Sequence, residues 1–176
     1  MGLGVTAYKG IKKVDCVFDE DGDPIDPTTR EYVDYDARAY VNPDYPARAD
    51  NIEHMGVYSA EASAHVDCGA YSRYNRWRDE LAKLAGWPLG SYEQYGRSWP
   101  SHAASAWDAT EGPFWELISF SDCDGIIGPI TSAKLAKDFA EYAERAKEVG
   151  GYFYDQYRQW RAAFEMAADN GMVRFH

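Results

Sequence analysis

The chain has 176 residues, 29 Asp and Glu against 18 Lys and Arg, and a net charge of −11. With 45% apolar and 15% aromatic residues it is not a disordered chain, and at this length it folds without needing a disulfide or a metal. No apolar run approaches the roughly 18 residues of a membrane span. Cys16, Cys68 and Cys123 are odd in number and lack C-x-x-C spacing, so a reducing, cytoplasmic setting with no metal and no cofactor is expected.

The first part of the chain reads as β. Leu3, Val5 and Ala7 alternate with small or polar residues, and Val14, Cys16 and Phe18 alternate with Lys13, Asp15 and Val17. Val33, Tyr35, Ala37, Ala39 and Val41 alternate with Asp34, Asp36, Arg38 and Tyr40. A period of two predicts half-buried strands. Asp21-Gly22 with Pro24 and Pro27 marks a turn, so the 12–18 and 31–41 runs are expected to pair. Pro43 and Pro46 put a loop at 42–53. A further strand is expected at 60–68, with Ala60, Ala62, Ala64, Val66 and Cys68 on one face.

The second part reads as α. Tyr74, Trp77, Leu81 and Leu84 fall on one helical face, with Ser72 as N-cap and Gly86 as stop. Residues 87–112 read as irregular, with a short helix after Ser101. Leu135, Phe139, Tyr142, Ala146 and Val149 form one helical stripe; Phe153, Tyr157, Trp160, Phe164 and Ala167 form the next. Gly150-Gly151 joins them into an αα-hairpin. The fold expected is α+β: an antiparallel sheet from the N-terminal part, packed against three or more helices including the C-terminal αα-hairpin. One domain spans 1–176, mainly β over 1–70 and mainly α over 71–176.

Charge concentrates between Asp15 and Asp36. Asp15, Asp19, Glu20, Asp21, Asp23, Asp26, Glu31, Asp34 and Asp36 face the single base Arg30. On a paired hairpin, Asp15, Asp34 and Asp36 share the solvent face, at roughly 6.6 Å per two residues of strand. That density approaches one edge of a nucleic-acid backbone. Such a field repels phosphates and anionic lipid, so it disfavours direct nucleic-acid and membrane binding and favours a basic partner. Asp19-Glu20-Asp21-Gly22-Asp23 is rich in oxygen ligands, but its glycine is misplaced for a calcium-binding EF-hand loop.

Ser121-Asp122-Cys123-Asp124-Gly125 is a second candidate, set between an apolar run and a long helix. Ser121, Asp122 and Asp124, with His65 from the 60–68 strand, form an alternative polar site for a small molecule or nucleotide-like signal, or for hydrolysis. Tyr92, Tyr95 and Trp99 lie in the irregular region and are candidates for an interface or pocket. No nucleophile elbow, phosphate loop, dinucleotide fingerprint or zinc-protease motif occurs, and a non-enzymatic role is the primary reading.

Met1-Gly2-Leu3 to Thr6-Ala7-Tyr8, Tyr71-Ser72 to Trp77-Arg78, Phe120-Ser121-Asp122-Cys123-Asp124-Gly125 to Gly128-Pro129, and Ala167-Ala168-Asp169 to Phe175-His176 together resemble a group of small uncharacterised proteins of bacteriophages and prophage-bearing bacteria. The resemblance carries no assigned chemistry. It implies a phage accessory protein in the bacterial cytoplasm. By analogy with acidic phage proteins of this size, the expected function is inhibition of a basic, nucleic-acid-binding host defence protein, such as a CRISPR or restriction effector, by charge mimicry. A structural phage component is a third reading.

Overall fold

The strand β1 (Gly2–Lys9) runs through the centre of the molecule because Leu3, Val5 and Ala7 all point into its main core. The computed structural model describes residues 2–176. In chain order β1 is followed by β2 (Lys12–Lys13), β3 (Val17–Phe18), β4 (Pro24–Ile25), β5 (Ala37–Arg38), β6 (Val57–Ser59) and β7 (Ala62–Ala70). Then come α1 (Tyr71–Leu84), β8 (Gly90–Gln94), β9 (Arg97–Ser101), α2 (His102–Trp107) and α3 (Trp115–Ile118). The chain ends with β10 (Gly125–Ile127), α4 (Pro129–Glu141), α5 (Ala143–Val149), α6 (Gly151–Ala167) and β11 (Met172–Phe175).

The fold is α+β. The main sheet has the order β10-β11-β1-β7 with every pairing antiparallel, and it packs against helices that include the C-terminal ones. Val5 faces Phe175 on one side and Val66 on the other, so one sheet face is apolar across three strands. Onto it pack Tyr74 and Trp77 from α1 and Tyr157, Trp160 and Phe164 from α6. The Trp77 and Trp160 rings stack at 5.7 Å, and Trp160 lies 5.7 Å from Phe175. Each such buried aromatic contributes on the order of 2–3 kcal/mol of transfer free energy. The opposite face carries Tyr8, Met172 and Ile126, which Ala37, Ala39, Ala49 and Tyr58 cover to make a second, smaller core.

Several local expectations change. The 12–18 and 31–41 runs do not pair. β2 pairs with β6, β3 with β4, and β5 with β6. Asp19 accepts hydrogen bonds from the amides of Asp21 and Asp23 at 3.0 and 2.8 Å, which folds β3 straight back onto Pro24–Ile25. Closing that short loop costs less chain entropy than the longer pairing. Phe18 and Tyr35 therefore remain 42% and 45% exposed instead of entering the core. On β7 only Val66 and Cys68 are buried, while Ala62 and Ala64 are exposed. The cap of α1 is Ala70, two residues before Ser72, because β7 runs directly into the helix.

Residues 90–101 form a hairpin, not an irregular loop. Tyr95 and Gly96 both adopt positive φ at its tip, the backbone of a two-residue turn that matches strand twist. The short helix after Ser101 is present as α2, and the Ser101 hydroxyl accepts from the Ala104 amide at 3.2 Å. The stripe ending at Val149 is split into α4 and α5 around Tyr142, whose ring sits 5.4 Å from Phe114. β10 and β11 have no counterpart in the sequence reading, and they bring the C-terminal half into the main sheet.

Candidate ligand-binding site

The turn between α3 and β10 is built from its own side chains. Ser121 Oγ accepts from the amides of Cys123 and Asp124, both at 3.3 Å. Gly125 follows with φ +120, and a Cβ there would meet Phe120 Cζ at 2.8 Å, so only glycine lets the chain leave the turn into β10. Asp122 and Asp124 are held on separate sides of this turn. Asn75 Nδ2, from α1, donates to Asp122 Oδ2 at 2.8 Å. Asn42 Nδ2 donates to Asp124 Oδ1 at 3.0 Å and to the Asp124 carbonyl at 3.1 Å.

Arg78 lies beneath them, on the buried side of α1. It donates to the carbonyls of Phe120 at 2.6 Å and Ile118 at 3.3 Å and to Asn75 Oδ1, and its Nη2 is 4.0 Å from Asp122 Oδ2. These bonds satisfy the carbonyls left free where α3 ends. Arg48 closes the other side. It donates to the Glu116 carbonyl at 3.2 Å and to Ser119 Oγ at 3.1 Å, with its guanidinium 4.0 Å over the Trp115 ring. Burial lowers the Arg48 pKa, an effect opposed chiefly by the Glu116 carboxylate. An arginine at such a site stays charged.

Two clefts open on this scaffold. The first, about 720 Å³, lies between residues 42–48 and the 119–124 turn and is walled by Tyr45, Trp107 and Trp115. The second, about 840 Å³, lies between α1 and the β8–β9 hairpin and is walled by Tyr92, Trp99 and Trp107. Both are within the size of ordinary small-molecule sites. Arg78, Trp107 and Asp122 line both, so the clefts meet there. Trp107 Nε1 donates to the Ile118 carbonyl at 3.3 Å, which fixes one ring edge while the residue stays 45% exposed.

Ser121, Asp122 and Asp124 are thus brought together, but His65 is not. It lies on β7, at the sheet edge opposite β10, a separation of three strand spacings or roughly 14 Å. There it pairs with Thr6, beside His176. Asp122 and Asp124 engage different amide partners, and no group of three or more metal-capable side chains occurs among the described residues.

The acidic segment forms successive turns in place of a two-stranded ladder. Asp26 accepts from the amides of Thr29 and Thr28 at 2.8 and 2.7 Å, and these bonds hold its carboxyl below the usual range. Asp36 accepts from the Ala60 amide at 2.7 Å. Asp15, Glu20, Asp21, Asp23, Glu31 and Asp34 are exposed and form no ion pair among the described residues.

The sequence singles out Arg78 only as part of the basic cluster Arg73, Arg76 and Arg78 on α1, and does not single out Asn42, Arg48, Asn75, Trp107 or Trp115. One signal was present: Arg78 is four residues after Tyr74 on the apolar stripe of α1, where a charged residue demands partners. Comparison of the chain with protein-family models, curated proteins and solved structures finds no match. No helix among the described residues is long and apolar enough to cross a membrane.

Proposed function

We propose that this chain is a ligand-binding protein whose site is the pair of clefts meeting at Arg78, Trp107 and Asp122. The observation that carries this reading is Trp107: a large ring pinned at one edge, open on the other side, and placed where two concave surfaces join beside oriented carboxylates. Concave aromatic walls with a few fixed polar groups are the usual makeup of small-molecule sites. The polar groups are braced by amides and carbonyls, not paired as nucleophile and base, which favours binding over hydrolysis. The lining carboxylates outnumber the guanidinium groups, so a polyanionic ligand is disfavoured.

The test is a ligand screen by tryptophan fluorescence and thermal shift, with wild type and Trp107→Ala side by side. A binder raises Tm in a concentration-dependent way. Trp107→Ala should stay folded and lose the response. A variant that responds as wild type does would place the ligand elsewhere.

A second reading has its own observation. The lobe from Asp15 to Asp36 exposes six carboxylates that form no ion pair among the described residues, with Val17, Phe18, Tyr32 and Tyr35 among them. It supports docking to a basic protein surface, in the phage setting the nucleic-acid-binding defence protein of a host. Capture from host lysate should weaken steeply with salt and be lost in Asp21→Asn/Asp23→Asn/Asp34→Asn. Unchanged capture by that triple variant would remove the lobe from consideration.

A further inference from the structure

We infer that the ligand is a neutral oligosaccharide whose consecutive sugar rings occupy both clefts; this rests on the double cleft being the binding site. The two volumes share Arg78, Trp107 and Asp122, so a molecule centred on Trp107 has room to extend both ways. Aromatic rings line the path: Trp99, Tyr92 and Trp107 in one cleft, Trp107 and Tyr45 in the other, with Tyr92 and Trp107 5.5 Å apart and tilted by 59°. A pyranose offers such rings its apolar C–H face and carries its hydroxyls around the rim.

The polar groups match that rim. A hydroxyl both donates and accepts. At the junction, Asp122 offers acceptor lone pairs directly beside the Asn75 amide and the Arg78 guanidinium. At the far end, Asp124 stands beside the Asn42 amide. Carboxylate and amide side by side can receive and return hydrogen bonds from adjacent hydroxyls of one sugar. Charge argues against the competitors. Asp44, Asp79, Glu93, Asp122 and Asp124 outnumber Arg48, Arg76 and Arg78 and repel a phosphate chain. The Trp115 face, a natural seat for a ligand cation, is already covered by Arg48. A single nucleoside fills one cleft only.

The experiment is isothermal titration of the full chain with gluco-, N-acetylglucosamine, manno- and galacto-oligosaccharides, each from monosaccharide to hexasaccharide. Adenosine and an oligolysine peptide serve as comparison probes. In one saccharide series affinity should rise at least ~tenfold from monosaccharide to tetrasaccharide, equivalent to about 1.4 kcal/mol. Trp107→Ala should abolish binding. Trp99→Ala, at one end of the path, should flatten the gain in affinity from the longer chains. Silence or length-independent affinity in all four series overturns the proposal. Trp107-dependent binding of adenosine or oligolysine in that case leaves the cleft as the site and refutes the sugar alone. No Trp107-dependent response to any probe refutes both.

Discussion

Replacing Arg78 by Met keeps an unbranched apolar stem and removes the five donors of the guanidinium. In the native protein the guanidinium serves the Phe120 carbonyl, the Ile118 carbonyl and Asn75 Oδ1, with Asp122 at 4.0 Å. Trp107 Nε1 also serves the Ile118 carbonyl, so the variant orphans chiefly the Phe120 carbonyl and Asn75 Oδ1, while Asn75 Nδ2 keeps its bond to Asp122. One unpaired buried acceptor costs about 1–3 kcal/mol, and each lost hydrogen bond from a charged donor about 1.5–3 kcal/mol. Burial of the Met side chain returns about 1.5–3 kcal/mol. The net loss expected is about 3–5 kcal/mol, as for other broken buried charge networks. At about 2–4 °C per kcal/mol for a chain of this size, Tm falls by roughly 6–20 °C. Urea unfolding followed by circular dichroism and tryptophan fluorescence, with calorimetry, measures it. Arg78→Lys keeps the charge but not the fork, and should lose less. Stability of Arg78→Met within about 1 kcal/mol of wild type would refute the bracing role of Arg78.

Four further outcomes are expected. Asp50 caps α4 from outside the helix, accepting from the Ile130 and Thr131 amides at 2.8 and 2.9 Å and from the Thr131 hydroxyl at 2.9 Å; Asp50→Ala should cost about 1–2 kcal/mol in urea unfolding. A Cβ on Gly171 would lie 1.9 Å from the Tyr8 carbonyl oxygen, so Gly171→Ala must push the α6–β11 corner off the central strand and lower stability by about 3 kcal/mol, read by thermal melting. Burial lowers the pKa of His176 below its usual value, with Arg174 and His65 adding to the effect. The stability tied to the neutral ring is present above its ordinary pKa of 6.5 and is lost as pH falls through the lower folded value, so urea midpoints at about pH 7.5 and about pH 5 should differ less in His176→Gln than in wild type. Cys123 is exposed, whereas burial pushes the Cys68 thiol up to about 12; a thiol reagent should modify Cys123 in the native protein and reach Cys68 only after unfolding.

The parts of the structure legible in the sequence are those whose own periodicity faces a core. Leu3, Val5 and Ala7 spell out β1, Tyr74 to Leu84 spell out α1, and Phe153 to Ala167 spell out α6, because each buries a face set by its local geometry. The same rule misleads between residues 12 and 41. Alternation there is real, but the Asp19 turn and the competing strand β6 select the partners, and a two-residue strand is defined by its neighbour more than by its own pattern. In the site, the 121–125 turn stands out by its Ser, Asp and Gly, whereas its partners do not.

Composition and local spacing by themselves determined the α+β class, the position of the aromatic helices and the acidity of the 15–36 segment. Tertiary structure alone decided the rest. β10 is buried at all three residues, so it shows no alternation, and β11 joins it to β1 only because Phe175 meets Val5 from the far end of the chain. The cleft exists because α1, the 42–48 segment, Trp107 and the 121–125 turn converge around one buried guanidinium. Hydrogen bonds between residues so distant in sequence depend on where whole elements pack, and no local pattern records that.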